Sequence, residues 1–116
     1  MTKFIFYKCD GVYFGFKEVG HTGFGEEGDD VLCAALSSMT MLLINTIEVA
    51  FESSVDYTID ENSADITLKA YGALKEFEKD EKKRYAVAGS IYGFYLQIKD
   101  LVEEYYDYIE ISEVDQ

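Results

Sequence analysis

The residues of this sequence best suited to nucleophilic chemistry are its only histidine, His21, and one of its two cysteines, Cys33, twelve positions later. A thiolate held beside an imidazolium attacks a carbonyl carbon, and the imidazolium then protonates the leaving amine. Such a pair would make the protein a cysteine-dependent hydrolase. In the alternative interpretation, Cys33 is a small buried hydrophobic residue and His21 is a hydrogen-bonded residue at a strand end.

Cys33 falls near the start of a predicted helix. Asp30 is a residue type favoured at a helix N-cap, and the apolar sequence after it predicts a helix of about twenty residues ending near Phe51. Cys33 would then be the third helical residue, where free backbone N–H groups and the helix dipole favour a thiolate and could bind an oxyanion. Asp30 either caps this helix or orients the imidazole, and its spacing favours the cap. Ser37, one turn after Cys33, would support the thiol or bond the preceding turn.

A glycine-rich segment separates the two reactive residues, with glycine at positions 20, 23, 25 and 28. Glycine makes the backbone easy to bend and raises the entropy that is lost when the segment is ordered. We therefore expect residues 22–28 to form a mobile loop that closes over a substrate and assembles the site only then. An ordinary connection between a strand and a helix is the alternative. The loop residues predicted to meet the substrate are Gly20, Thr22, Gly23, Phe24, Gly25 and Gly28.

The elements that must position these residues follow from hydrophobic periodicity and turn signals. Strands are predicted at 3–9, 11–19, 54–59, 64–71 and 108–113, and helices at about 30–51 and 82–106, while residues 72–81 fit no single pattern. Asp10-Gly11 and Asp60-Glu61-Asn62 supply the turns of two hairpins. The order ββαββαβ predicts an α+β two-layer sandwich with two long helices and a mainly antiparallel sheet, in a single domain over residues 1–116.

The composition describes a folded, acidic protein. Ten Lys and Arg residues against 23 Asp and Glu residues give a net charge of −13, while 48% of the residues are apolar, with ten tyrosines and eight phenylalanines. That apolar content excludes intrinsic disorder. The charge argues against direct binding of nucleic acid or of an anionic membrane and favours a basic partner, although solubility alone would also account for it.

Cysteine usage and apolar runs bear on location and assembly. The N-terminal sequence lacks the features of a signal peptide, and two cysteines without a disulfide pattern suit a reducing cytoplasm, where we expect the protein. The uncharged run from Val31 to Ile47 contains several hydroxyl and amide side chains and is interpreted as a buried helix, not as a membrane span. Cys9, Cys33 and His21 lack metal-binding spacing, so no metal and no cofactor are predicted.

The same uncharged run also predicts self-association. Its apolar residues go almost all the way round the helix, which is more surface than two hairpins are expected to cover. Gly89 and Gly93, one turn apart on the second helix, would admit the close approach of another backbone. We therefore expect a homodimer with an apolar interface.

The motif around the two reactive residues resembles that of a known family, the bacterial ribosomal-processing cysteine proteases, Prp. The resemblance is carried by Gly20-His21, the glycine-rich loop, the run Gly28-x-Asp30-x-x-Cys33-Ala34-Ala35-x-Ser37, Asn45 on the same helix and the C-terminal LVEEYYDYIEI. It covers most of the chain in length and element order. The sequence departs from the family at Thr22, at Val31-Leu32 and at Tyr106, none of which removes a reacting group.

The resemblance implies that Cys33 is the nucleophile of a cysteine endopeptidase and His21 its general base, with Asp30 and Ser37 in supporting positions. It further implies that the protein removes a basic N-terminal extension from a large-subunit ribosomal protein precursor, cuts after an aromatic residue and acts as a homodimer. The alternative, from a different class, is a non-catalytic acidic binding or assembly factor for a basic ribosomal protein, in which Cys33 and His21 are structural.

Overall fold

The computed structural model describes residues 1–20, 26–63 and 65–116, and for residues 26–30 it describes the backbone alone. The strands are β1 (Thr2–Cys9), β2 (Val12–Val19), β3 (Asp56–Ile59), β4 (Ile66–Lys69) and β5 (Ile109–Asp115), and the helices are α1 (Glu26–Asn45) and α2 (Glu81–Glu104). A π-helical extension, Thr46–Ala50, continues α1, and a 3-10 turn, Tyr71–Ala73, lies between β4 and α2. The predicted order ββαββαβ is confirmed.

The five strands form one mixed sheet in the order β3-β4-β2-β1-β5. The pairs β1–β2, β2–β4 and β3–β4 are antiparallel, whereas β5 lies parallel to β1 at one edge. The prediction of a mainly antiparallel sheet is therefore confirmed.

The first hairpin turns at Asp10-Gly11, as its sequence predicts. Both residues have positive φ angles, 50° for Asp10 and 79° for Gly11, as a type I′ turn requires. The twist of this turn matches the twist of the two strands that it joins. The hairpin places Cys9 beside the turn and Gly20 beyond the other end of β2, about 25 Å away along the strand.

The core lies between one face of the sheet and the two helices. Phe6, Phe16 and Leu68 stand side by side on three neighbouring strands and are fully buried. From α2, the ring of Phe94 stacks on Phe16 with the ring centroids 4.7 Å apart. Each such side chain contributes about 2 kcal/mol by leaving water. The apolar residues that α1 adds to this cluster are Leu32, Leu36, Leu43 and Ile44. The arrangement is a two-layer sandwich, as predicted.

A capping residue sets the start of α2. The Asp80 side chain accepts hydrogen bonds from the backbone N–H groups of Lys82 and Lys83, at 3.0 and 3.2 Å, and is therefore the N-cap. The helix runs to Glu104, so both its ends lie within two residues of the prediction. The undecided segment before it begins with the 3-10 turn, where Ala73 and the following Leu74 are buried in the core.

The start of α1 corrects the sequence-based expectation. The helix begins at Glu26, several residues before the predicted start, so the prediction that Asp30 is its N-cap is wrong. Acidic residues are favoured throughout a first helical turn because they complement the helix dipole, and this sequence offers them from Glu26 onward. Gly28 lies inside the helix and not in a loop, although glycine there costs about 1 kcal/mol relative to alanine.

One face of α1 and its extension is apolar and open to solvent. Val31, Leu42 and Val49 are 70%, 68% and 73% exposed. Among the described residues, one helical stretch, Val31–Ala50, is long and apolar enough to cross a membrane by length and composition alone. The same stretch contributes leucine and isoleucine side chains to the core, as the core helix of a globular protein does.

Candidate active site

Cys33 is the eighth residue of α1, two turns from the first. Its side chain is half-buried, and the preceding residue, Leu32, is buried in the core. The N–H group of an eighth helical residue bonds within the helix, and the effect of the dipole falls off after the first turn. The predicted activation of this thiol by free N–H groups at the third helical position is therefore wrong, because the helix starts earlier.

Ser37 is exposed and lies one helical turn after Cys33. Residues four apart share a face of a helix, so the hydroxyl and the thiol face the same side, as predicted. Leu32 and Leu36, one position earlier in each turn, are buried in the core. The thiol and the hydroxyl thus stand together along the border between the core and solvent.

Asp30 lies three residues before Cys33 in the same helix. It is the fifth helical residue, so it does not cap the helix. Its second interpretation, orientation of the imidazole, concerns a side chain outside the described structure and stays a prediction.

The predicted general base and most of the predicted substrate loop lie outside the described residues, namely His21, Thr22, Gly23, Phe24 and Gly25. Their predicted roles, including closure over a substrate, stay predictions. The structure describes the two ends between which these five residues must run, which are Gly20 and Glu26.

Gly20 is held in one conformation at the end of β2. Its φ angle of 86° lies in the left-handed region that favours glycine. A Cβ added there would lie 2.6 Å from the carbonyl oxygen of Met1, so the position admits no side chain. The Gly20 N–H donates to Oδ1 of Asp65 at 3.2 Å. The residue that immediately precedes His21 is therefore fixed by contacts from two sides.

Glu18 is a buried acid near this strand end that sequence reasoning missed. It pairs with Phe4 in β1 and with Ile66 in β4, and paired residues share a face of the sheet, so its carboxyl group lies on the core face. Its Oε1 atom is buried and has no hydrogen-bond partner among the described residues. Burial and, second, the charge of Asp65 raise the pKa of Glu18 to about 7. The signal was its position two residues after the core-facing Phe16.

Cys9 lies at the opposite end of the sheet, beside the first hairpin turn. Burial and the charges of three carboxylates, Asp10, Glu76 and Asp115, raise the pKa of its thiol, which disfavours the nucleophilic thiolate. Cys33 is therefore the better candidate nucleophile. In the part of the chain that the structure describes, no group of three or more His, Cys, Asp or Glu side chains could hold a metal ion.

Comparison with known proteins gives a family match. The model of the family described as cysteine protease Prp matches residues 1–110. Among the curated proteins there is no significant match. The solved structure of SMU.848 from Streptococcus mutans is 26% identical with a TM-score of 0.79, and the alignment covers 100% of this chain and 99% of that chain.

Two structures of the ribosomal processing protease Prp from Staphylococcus aureus share the fold. The first, with a covalently linked product peptide, is 18% identical with a TM-score of 0.79, over 98% of this chain and 100% of that chain. The second, with a substrate peptide, is 16% identical with a TM-score of 0.77, over 98% of this chain and 100% of that chain. The arrangement of five strands and two helices is therefore common to these proteins.

Proposed function

Because this chain belongs to the Prp family of cysteine proteases, we propose that it processes a ribosomal protein precursor. It removes the basic N-terminal extension of a large-subunit ribosomal protein by cutting after an aromatic residue, with Cys33 as nucleophile and His21 as general base. The observation that carries this proposal is the family match, which extends over both residues. Membership of a protease family also decides against the non-catalytic acidic binding factor.

The reaction divides into acylation and deacylation. His21 takes the thiol proton, and the Sγ thiolate of Cys33 attacks the carbonyl carbon of the scissile peptide bond. The tetrahedral intermediate collapses when the imidazolium gives its proton to the leaving amine, and a thioester remains on Cys33. The imidazole then takes a proton from water, whose oxygen attacks the thioester. Release of the carboxylic acid product restores the thiolate and the imidazolium.

The position of Cys33 in α1 supports His21 as the group that activates its thiol. The free N–H groups of α1 belong to its first four residues, and the first of these lies about 10 Å before Cys33 along the helix axis. The sequence places carboxylates at positions 26, 27, 29 and 30, so the start of α1 is rich in negative charge. An imidazolium supplies the cation that offsets this charge. Replacement of His21 should therefore lower the rate of peptide cleavage nearly as much as replacement of Cys33.

Charge and structural likeness support a basic peptide as substrate. A net charge of −13 attracts a basic ribosomal extension and speeds the encounter. The Prp protease of Staphylococcus aureus has been crystallised with a substrate peptide and with a covalently linked product peptide. We infer peptide binding for this chain from that likeness, at the site formed by Cys33 and His21.

The protein acts, in this proposal, as a homodimer in the cytoplasm. The exposed apolar face of α1 supports the dimer, and within it Leu42 lies beside Gly93 of α2 at a groove between the two helices. A Cβ at Gly89 or at Gly93 would meet no atom of the described residues within 4 Å, which leaves room on this side of α2 for a second copy. Burying such a face stabilises a symmetric dimer through the hydrophobic effect. The chain has two cysteines without a disulfide pattern, which supports a location in the reducing cytoplasm.

Incubation of the purified protein with the precursor ribosomal protein tests this function. Mass spectrometry should find two products whose masses place the cut after an aromatic residue. Cys33→Ala should abolish cleavage while the circular dichroism spectrum and Tm are retained. Cys9→Ala, the matched control, should cleave at the wild-type rate. Turnover by Cys33→Ala, or an intact precursor after incubation with the wild-type protein, would contradict the proposal.

A further inference from the structure

The hydrogen-bonded ladder between β2 and β4 ends near Gly20, the residue that precedes His21 in the chain. Its last pair joins Glu18 to Ile66. Beyond that pair, the Gly20 N–H donates to Oδ1 of Asp65, 3.2 Å away, and Asp65 is the residue immediately before Ile66. A side-chain carboxylate therefore takes the place of the next strand carbonyl. Asp65 ties the end of β2 to the start of β4.

Gly20 is also confined from the β1 side. The carbonyl oxygen of Met1 would lie 2.6 Å from a Cβ at residue 20, and the φ angle of Gly20, 86°, lies outside the extended range of a strand residue. The φ angle, the close carbonyl oxygen and the hydrogen bond together restrict the orientation of the Gly20 backbone, and this limits the orientations open to the next residue. That next residue is His21.

Asp65 is itself anchored by the turn between β3 and β4. Its backbone N–H donates to Oγ of Ser63 at 3.3 Å, and its carbonyl oxygen accepts from the N–H of Asp60 at 2.9 Å. The Asp60 carboxylate accepts from the N–H groups of Asn62 and Ser63, at 2.8 and 3.0 Å. The Ser63 and Asn62 N–H groups lower the pKa of Asp60, which keeps it an acceptor. The residue that holds Gly20 is thus supported by its own network.

We propose that Asp65 is a positioning residue for the protease, whose carboxylate holds the Gly20 peptide, to which the proposed general base His21 is directly bonded in the chain. This inference rests on the proposed role of His21 as general base. Asp65 acts through the Gly20 backbone and not by touching the substrate. The sequence separation of 45 residues hides the contact from any local motif.

Removal of this hydrogen bond should affect the rate and not substrate affinity. A displacement of a reacting group by about 1 Å costs roughly 100-fold in rate, so Asp65→Ala should lower kcat by roughly 10- to 100-fold with KM nearly unchanged. Asp65→Asn keeps a carbonyl oxygen that can accept from Gly20, while it removes the charge. It should therefore retain most of the wild-type kcat if the hydrogen bond is what matters.

The test compares the full-length wild-type protein with Asp65→Ala, Asp65→Asn and, as the matched control, Glu61→Ala, whose side chain is exposed in the same turn. kcat and KM are measured on the precursor ribosomal protein. Hydrogen exchange of the Gly20 amide, followed by nuclear magnetic resonance, reports the hydrogen bond independently of activity. Thermal unfolding of each variant shows that it is folded at the assay temperature.

The expected result is a low kcat and faster Gly20 exchange in Asp65→Ala, with both properties near wild type in Asp65→Asn and Glu61→Ala. A wild-type kcat in Asp65→Ala would overturn the inference while the proposed function stands. Equal losses in Asp65→Asn and Asp65→Ala would also overturn it, because the charge and not the hydrogen bond would then be responsible. If the wild-type protein cleaves no precursor, the proposed function fails, and unchanged Gly20 exchange in Asp65→Ala would separately refute the hydrogen bond.

Discussion

Replacement of Glu18 by glutamine should make the stability of the fold less sensitive to pH. The carboxyl group lies on the core face of the sheet, and its Oε1 atom is buried with no hydrogen-bond partner in the described part of the chain. Burial and the charge of Asp65 raise its pKa to about 7. Glutamine has nearly the same shape but carries no charge at any pH. The substitution thus removes the ionisation and little else.

The sign of the effect follows from proton binding. In the unfolded chain Glu18 titrates near 4.5, whereas in the folded chain its pKa is about 7, so the folded state holds the proton more tightly. Its contribution to stability is fully present below pH 4.5 and is lost as the pH rises through 7. At about 1.4 kcal/mol for each pH unit, the loss is limited to about 3 kcal/mol. Because the side chain is only partly buried, we expect about 2 kcal/mol between pH 5 and pH 8.

Urea unfolding at pH 5, 6, 7 and 8, at one fixed protein concentration, measures this loss. The free energy of unfolding of Glu18→Gln minus that of wild type should rise by about 2 kcal/mol from pH 5 to pH 8. Taking the difference between pH values cancels any constant cost of burying the amide. Glu61→Gln, an exposed acid in a turn, is the control and should follow wild type. If the free energies of unfolding of Glu18→Gln and wild type change by the same amount from pH 5 to pH 8, the reasoning about the buried acid is wrong.

Three further predictions concern the thiol, the dimer and the loop. At neutral pH, iodoacetamide should modify Cys33 faster than Cys9, and His21→Ala should slow the reaction of Cys33; equal rates for the two cysteines would contradict activation. Sedimentation at micromolar concentration should give the mass of a dimer, and Leu42→Glu, which places a charge at a side chain 68% exposed in the single copy, should give a monomer. A monomeric wild-type protein would disprove the interface. In Cys33→Ala, a precursor peptide should slow deuterium exchange in residues 22–25, which precede α1, and strong protection of these residues without peptide would rule out a closing loop.

Local chemistry explains which parts of the fold were predictable. Asp10-Gly11 fixes a tight turn by its own φ angles, and Asp80 caps α2 with its own side chain, so both boundaries can be inferred from a few neighbouring residues. The start of α1 was misplaced because the segment offers several acidic residues that suit a first turn. Local preference does not choose between Asp30 and Glu26 as the place where the helix begins.

The candidate reactive groups can be named from the sequence, whereas the contacts around them cannot. His21 and Cys33 stand out by residue type and spacing, and the family match extends over both. Glu18 was missed because a carboxylate beside Lys17 suggests the solvent side, although its alternation with Phe16 places it on the core face. Contacts between residues far apart in the chain, such as Gly20 with Asp65, depend on strand order and register, which no local pattern encodes.

In this two-layer architecture, the thickness of the core sets the distance between the helices and the sheet. Cys33 belongs to the helical layer, whereas β2, the strand that precedes His21 in the chain, belongs to the sheet layer. The distance between the layers is set by side chains such as Phe94 lying flat on Phe16. A substitution there would tilt or lower one layer against the other. If the proposed reaction uses Cys33 and His21, we expect core residues far from the thiol to set the spacing of the reacting groups, so that a variant with an intact fold loses turnover through misalignment alone.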